Sequence, residues 1–184
     1  MNEIRLHGRG GQGVAISAEM LVAAFVKEGK SATGFPMFGV DRRGTPVSAF
    51  VRSSDKPIRE KTKVYSPNCL LILDPLQIGW PIVYSGLRSE SILVVNSPQP
   101  PKENPHKNLS LTGFVDATKI ALEEIGIPAS NTCMIGAFAA VTQWVKLDSI
   151  LSALEMYFKE RMLEKNLRSA ERGFHEVEVV EWSR

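Results

Sequence analysis

Glu3-Ile4-Arg5-Leu6-His7-Gly8-Arg9-Gly10-Gly11-Gln12-Gly13-Val14 alternates polar and apolar residues over five positions and then sets four glycines within the next six. The alternation predicts a short strand. From Val14 to Glu28 the chain is helix-forming and largely apolar, and Gly29 stops it. Strand, glycine turn and helix N-terminus together make the geometry of a phosphate-binding turn. Glycine lets backbone approach a ligand closely, and the free N–H groups and dipole of a first helical turn favour an anion.

Gly8, Gly10 and Gly13 satisfy the spacing G-x-G-x-x-G. A nicotinamide or flavin site also needs an acidic residue at the tip of the second strand to hold a ribose. The second strand is predicted over Ser31 to Phe35 and runs into Pro36-Met37-Phe38-Gly39, with no carboxylate at its tip. Asp41 comes too late and stands beside two arginines. The plain alternative is a tight strand-to-helix connection with no ligand.

Outward from this turn, strands and helices alternate. Val47-Ser48-Ala49-Phe50-Val51 reads as a third strand within Pro46 to Arg52. No helix separates it from the second, so the two are expected to be antiparallel neighbours. Cys69 to Leu73 and Ser91 to Val95 are apolar runs that end at Asp74-Pro75 and Asn96-Ser97-Pro98, as buried strands reaching loops do. Leu76 to Leu87 is too broken by proline and glycine for a long helix, and Gln99 to Asn108 is a proline-rich loop. Phe114 to Ala117 reads as a strand end, Thr118 to Ile125 as a helix, and Asn131 to Lys146 as an apolar helix capped by Asn131. Ile150, Leu151, Leu154, Tyr157, Phe158, Met162 and Leu163 recur at helical spacing. The expectation is a single α/β domain over residues 1–184, in three layers (α/β/α), with a mixed, mostly parallel sheet.

The 184 residues suffice for one domain with a core, and a net charge of +2 is too small to argue for nucleic acid. No stretch is long and apolar enough to cross a membrane, and with a charged opening strand no signal peptide is expected. Cys69 and Cys133 read as buried thiols in a reducing, cytoplasmic compartment. Two cysteines cannot hold an iron–sulfur cluster, which normally takes four thiolates, and His7, His106 and His175 are too scattered for a metal site.

The second informative segment is Phe35-Pro36-Met37-Phe38-Gly39-Val40-Asp41-Arg42-Arg43-Gly44-Thr45-Pro46. With the first strand central, this turn and the glycine turn lie at the same sheet edge, where ligands bind in open α/β folds. The forks of Arg42 and Arg43 suit phosphate or carboxylate. An internal ion pair of one arginine with Asp41 is the competing role. Phe35, Met37 and Phe38 are either core or a contact surface for another subunit.

These two motifs, with Leu73-Asp74-Pro75, Asn131 to Ala137, Lys165-Asn166, Ala170 and Gly173, resemble the gamma subunit of 2-oxoacid:ferredoxin oxidoreductases nearly end to end. The Arg-Arg-Gly loop is more similar to the pyruvate and branched-chain types than to the 2-oxoglutarate type. The resemblance implies a chain with a Rossmann-like N-terminus in an enzyme of anaerobic metabolism that oxidatively decarboxylates a 2-oxoacid such as pyruvate, forms an acyl-coenzyme A and reduces ferredoxin. It implies alpha, beta and delta partner subunits that hold thiamine diphosphate, Mg and the iron–sulfur clusters. The gamma chain is inactive alone, helps to bind coenzyme A as substrate and completes the complex. A homodimer in isolation is compatible with this.

The candidate residues for coenzyme A or phosphate are Gly8, Arg9, Gly10, Gly11, Gln12, Gly13, Arg42 and Arg43, and those for a subunit interface are Phe35, Met37 and Phe38. No catalytic group or metal ligand is assigned, and Asp74-Pro75 and Asn166 are read as strand-end punctuation and surface. The alternatives are a purely structural subunit without ligand contact and a nucleotide-binding oxidoreductase domain.

Overall fold

The computed structural model describes residues 1–37 and 44–182. Its strands are β1 (Asn2–Arg9), β2 (Ser31–Met37), β3 (Pro46–Ser54), β4 (Cys69–Ile72), β5 (Ser91–Asn96), β6 (Leu109–Val115) and β7 (Glu178–Glu181). Its helices are α1 (Val14–Lys27), α2 (Ala117–Glu124), α3 (Asn131–Thr142), α4 (Leu147–Leu154) and α5 (Glu160–Glu176). One sheet runs in the order β2-β3-β1-β4-β5-β6-β7. Strands β1, β2, β4, β5 and β6 point one way, and β3 and β7 the other. The sheet is therefore mixed with most strands co-directional, and β2 and β3 are the expected antiparallel neighbours.

The two faces are covered unequally. Alternation along β1 sends Ile4 and Leu6 toward the helices, where they join Cys69, Leu71 and Val94 of β4 and β5 and the inner faces of α1, α3 and α4. Leu70, Ile72, Leu93 and Val95 point the other way, onto Val83, Tyr84 and Leu87. That second cover consists of two short 3₁₀ helices, Pro75–Gly79 and Pro81–Tyr84, and irregular chain. The prolines and glycines of residues 75–87 keep this layer thin, as the sequence indicates.

Two buried arginines fasten the irregular cover. Arg5 on β1 donates to the carbonyls of Val64, Tyr65 and Ser85 at 2.9–3.0 Å. Arg52 on β3 donates to Glu3 at 2.8 Å and to the carbonyls of Thr62 and Lys63. Each guanidinium presents five donors in a fixed fork, so one side chain satisfies several backbone oxygens of a segment that has no ladder of its own.

Three local expectations change. The helix from Asn131 ends at Thr142, because Gln143 takes a left-handed conformation (φ 55°), and α4 begins five residues on. Asn131 is not the cap of α3: Ser130 occupies that place, with no side-chain cap bond. Asn166 is buried rather than superficial, accepting from the Thr132 hydroxyl at 3.1 Å and donating to the Met162 carbonyl at 2.8 Å. The C-terminal strand β7, which the helical periodicity before it hides, pairs antiparallel with β6.

Candidate functional site

β1 delivers the chain to a turn at Gly10–Gly13, and α1 leaves from it. Gly11 (φ 97°) and Gly13 (φ 78°) hold left-handed conformations, which L side chains adopt only with strain. Gly13 is the N-cap of α1 and carries no capping side chain, and no acid stands in the first turn. Among the described residues, the amides of Gly11, Gly13, Val14, Ala15 and Ile16 have no acceptor; the first α1 amide to find one is Ser17, on the Gly13 carbonyl. Gly11, Gly13 and Val14 to Ile16, with Arg9, Gly10 and Val47, wall a cavity of about 410 Å³.

The remaining turn residues are already engaged. Gly8 is a packing glycine, since a Cβ there would lie 2.6 Å from Val14 Cγ2, and its carbonyl accepts from Gln77 Nε2 at 2.7 Å. The Gln12 side chain accepts from the Arg9 amide at 2.7 Å and so braces the turn from within. Arg9 Nε lies 2.5 Å from Asp74 Oδ2. Asp74 also accepts from the Leu76 amide and caps the first 3₁₀ helix. Sequence reading gave Asp74 no role beyond punctuation; its place after an apolar run and before a proline was the available signal.

The two informative segments meet. The Gly10 amide donates to the Thr45 carbonyl at 2.9 Å, and the Gly44 amide donates to the Gly10 carbonyl at 3.2 Å. Gly44 follows Arg43 directly. Phe38, Arg42 and Arg43 themselves lie outside the described residues. Phe35 and Met37 stand on the face of the sheet away from the helices. Phe35 stacks obliquely on Phe50 (ring centroids 5.5 Å apart), and Met37 pairs with Ser48 across β2 and β3.

Asn131 enters the site from α3. A Cβ built at Gly13 would lie 2.9 Å from Asn131 Nδ2, so the amide sits directly over the N-cap of α1. No carboxylate stands on β2, which leaves a dinucleotide ribose without its usual partner there. Both thiols are free and buried, and burial raises their pKa values, that of Cys133 to about 12. Among the described residues no group of three His, Cys, Asp or Glu side chains could hold a metal. A larger hollow of about 740 Å³ lies by the second 3₁₀ helix and the proline loop, where Tyr84 stacks on His106.

The model of the pyruvate ferredoxin/flavodoxin oxidoreductase family matches residues 3–176. The chain belongs to this family, as a gamma subunit of a 2-oxoacid:ferredoxin oxidoreductase. It is 45% identical over 184 residues to the pyruvate/ketoisovalerate oxidoreductases common subunit gamma of Thermococcus kodakarensis, covering 98% of this chain and 100% of that one. It is 42% identical over 181 residues to the gamma subunit of an NADH-dependent phenylglyoxylate dehydrogenase of Aromatoleum evansii, covering 97% and 95%. The crystal structure of pyruvate oxidoreductase subunit PORC from Thermotoga maritima superposes with a TM-score of 0.85 at 34% identity, covering 98% of each chain. This chain is thus one subunit of an oxidoreductase complex, and other subunits complete it. Among the described residues no helix is long and apolar enough to cross a membrane.

Proposed function

We propose that this gamma subunit helps to bind coenzyme A at the glycine turn, in a complex that converts a 2-oxoacid such as pyruvate to its acyl-coenzyme A. On this reading alpha, beta and delta chains hold the thiamine diphosphate, Mg and iron–sulfur clusters, and the complex passes electrons to ferredoxin. The bound diphosphate supplies the carbanion chemistry; this chain's residues only bind and position. Two free, buried thiols fit a reducing cytoplasm and offer no cluster ligation.

The observation that carries the coenzyme A reading is the set of uncapped amides at Gly11 and Gly13 to Ile16, lining a pocket bonded through Gly10 to the residue beside Arg43. Coenzyme A presents a pyrophosphate and a 3′-phosphate. The amides suit the first, and the arginines suit either. Gly8 and Gln12 shape the turn, whereas Arg9, paired with Asp74 through Nε, also lines the pocket.

The test is steady-state kinetics of the reconstituted complex with Arg42→Ala and Arg43→Ala. A charge-assisted hydrogen bond is worth roughly 1.5–3 kcal/mol, so at least one variant should raise KM for coenzyme A about ten- to a hundredfold. KM for the 2-oxoacid should hold. The penalty should shrink with dephospho-coenzyme A if the lost partner is the 3′-phosphate. Normal assembly with unchanged coenzyme A kinetics in both variants refutes the reading.

A second role is supported by the sheet face away from the helices. There Met37, Tyr65 and Ile82, respectively 46%, 63% and 71% exposed, ring a hollow of about 210 Å³. His7 lies at its floor, and its Nε2 has no partner among the described residues. Large exposed apolar groups around a polar floor suit a protein partner, and we assign Phe35 and Met37 to a subunit interface here; the same assignment for Phe38, which lies outside the described residues, rests on the sequence alone.

A further inference from the structure

The face of the sheet away from the helices holds positive charge that no acid of the described residues balances. Glu3, Arg5 and His7 follow one another on this face of β1. Glu3 is already taken by Arg52 and Arg88. Arg5 is 8% exposed and bonds only carbonyls, those of Val64, Tyr65, Val83 and Ser85. Carbonyl dipoles satisfy its N–H groups without supplying a counter-ion, and burial lowers its pKa. Lys63 Nζ lies 5.0 Å from the centre of the Tyr65 ring and pairs with no acid among the described residues. The hollow of about 210 Å³ on this face is lined by Arg5, His7, Ser48, Lys63 and Ser85 and by no Asp or Glu.

A second observation does not depend on charge. His7 is 8% exposed, and its Nε2 is buried without a partner among the described residues. Its Nδ1 lies 3.3 Å from Ser48 Oγ. Burial, and then the charge of Arg5, keep the ring neutral. With the Ser48 hydroxyl donating to Nδ1, the ring proton stands on Nε2. A buried N–H of this kind is nearly always bonded in a finished structure.

We infer that this hollow receives the carboxylate of an Asp or Glu side chain from a partner subunit, which accepts from His7 Nε2 and balances Arg5 and Lys63. The exposed Met37, Tyr65 and Ile82 around it favour a side chain delivered by a protein surface over a free acid. The carbonyl bonds of Arg5 fix Val64, Tyr65 and Ser85 before any partner arrives, so the socket is preformed. That the partner is a subunit of the oxidoreductase complex rests on the interface reading proposed above.

The test couples Lys63 to its neighbour in the purified complex. A water-soluble carbodiimide joins an amine to a carboxylate in contact, with loss of water, and peptide mass spectrometry names both residues. Lys63 should be joined to an Asp or Glu of a partner subunit. His7→Phe keeps the bulk of the ring and removes the donor. Its complex, diluted and followed by mass photometry, should dissociate at a concentration about ten- to a hundredfold higher, the loss expected for one hydrogen bond to a charged group. His7→Gln carries an amide N–H near the place of Nε2 and should recover most of that loss. Lys63→Glu should weaken the complex in the same direction, and Lys63→Arg should not.

Coupling of Lys63 only to carboxylates of this chain, or His7→Phe and Lys63→Glu complexes as tight as the unaltered one, overturns the inference. Coupling that added pyruvate blocks, in a complex that stays assembled, assigns the hollow to a free acid and overturns it as well. If Ile82→Glu releases the partner subunits while the His7 and Lys63 variants hold them, the interface stands and the carboxylate is not part of it. If all these variants hold their partners, the interface reading fails and this inference fails with it.

Discussion

Replacing Gly13 with alanine separates backbone strain from side-chain crowding at the turn. Gly13 has φ 78° and ψ 24°, and holding an L residue there costs roughly 1–2 kcal/mol. The new Cβ would also stand 2.9, 3.1 and 3.2 Å from Nδ2, Cγ and Cβ of Asn131. The Asn131 Cβ is fixed to the α3 backbone, so swinging the amide aside cannot clear the overlap, and crowding adds about 1–3 kcal/mol. The sum is about 3 kcal/mol, or a fall of roughly 6–12 °C in the thermal midpoint for a chain of this size. Gly11→Ala is the control. Its φ of 97° carries a comparable strain, but nothing lies within 4 Å of the added Cβ. It should lose only the first part, about 1–2 kcal/mol. Adding Asn131→Gly, which removes the Cβ together with the amide, should recover much of the excess in Gly13→Ala, giving a coupling near 1 kcal/mol in a double-mutant cycle. Equal losses for the two glycine variants, with no coupling to Asn131, would refute the contact that joins the two helices.

Burial first, and then the charge of Arg5, push the His7 pKa from 6.5 down to about 3. Between those values the unfolded chain takes up the proton and the folded chain does not, so the stabilising contribution is complete above pH 6.5 and is lost as pH falls. Going from pH 7 to 5 should cost about 2 kcal/mol at this group, and His7→Phe should lose that part of the slope in denaturant titrations; parallel slopes for the two proteins would contradict the burial of a neutral imidazole. Ile82→Glu, on a side chain 71% exposed, should change the stability of the chain by less than about 0.5 kcal/mol yet abolish co-purification of the partner subunits. Leu122→Glu on the helical face should keep them, and full retention by Ile82→Glu would remove the interface from the sheet face.

Local patterns were legible and reciprocal ones were not. The alternation from Glu3 to His7, the glycine turn and the apolar helix after it depend on neighbours in sequence, and β1 and α1 follow them closely. The antiparallel pairing of β2 and β3 follows from the lack of a helix between them. The close crossing of α3 and α5 was beyond that reach. Its glycines face backbone from the other helix, Gly136 against the Ala170 carbonyl and Gly173 against that of Cys133. Such a fit is a property of two segments at once, and each glycine alone reads only as a weak helix former. The same holds for Arg5 and Arg52, which look like the solvent face of strands and instead bind carbonyls of residues 62–65 and 85.

The candidate site divides along the same line. Its glycines were visible as a motif, whereas Asp74 and Asn131 reach it across 65 and 118 positions of sequence (74 − 9 and 131 − 13). A glycine motif states only that backbone must come close to something. The long-range partners decide what: Asp74 occupies the one arginine of the turn, Gln12 closes the turn on itself, and the bare end of α3 adds positive potential where α1 already supplies it. With its own acid neutralised, the edge formed by Gly13, Asn131 and the chain leading into Gly44 favours an anion from outside the subunit.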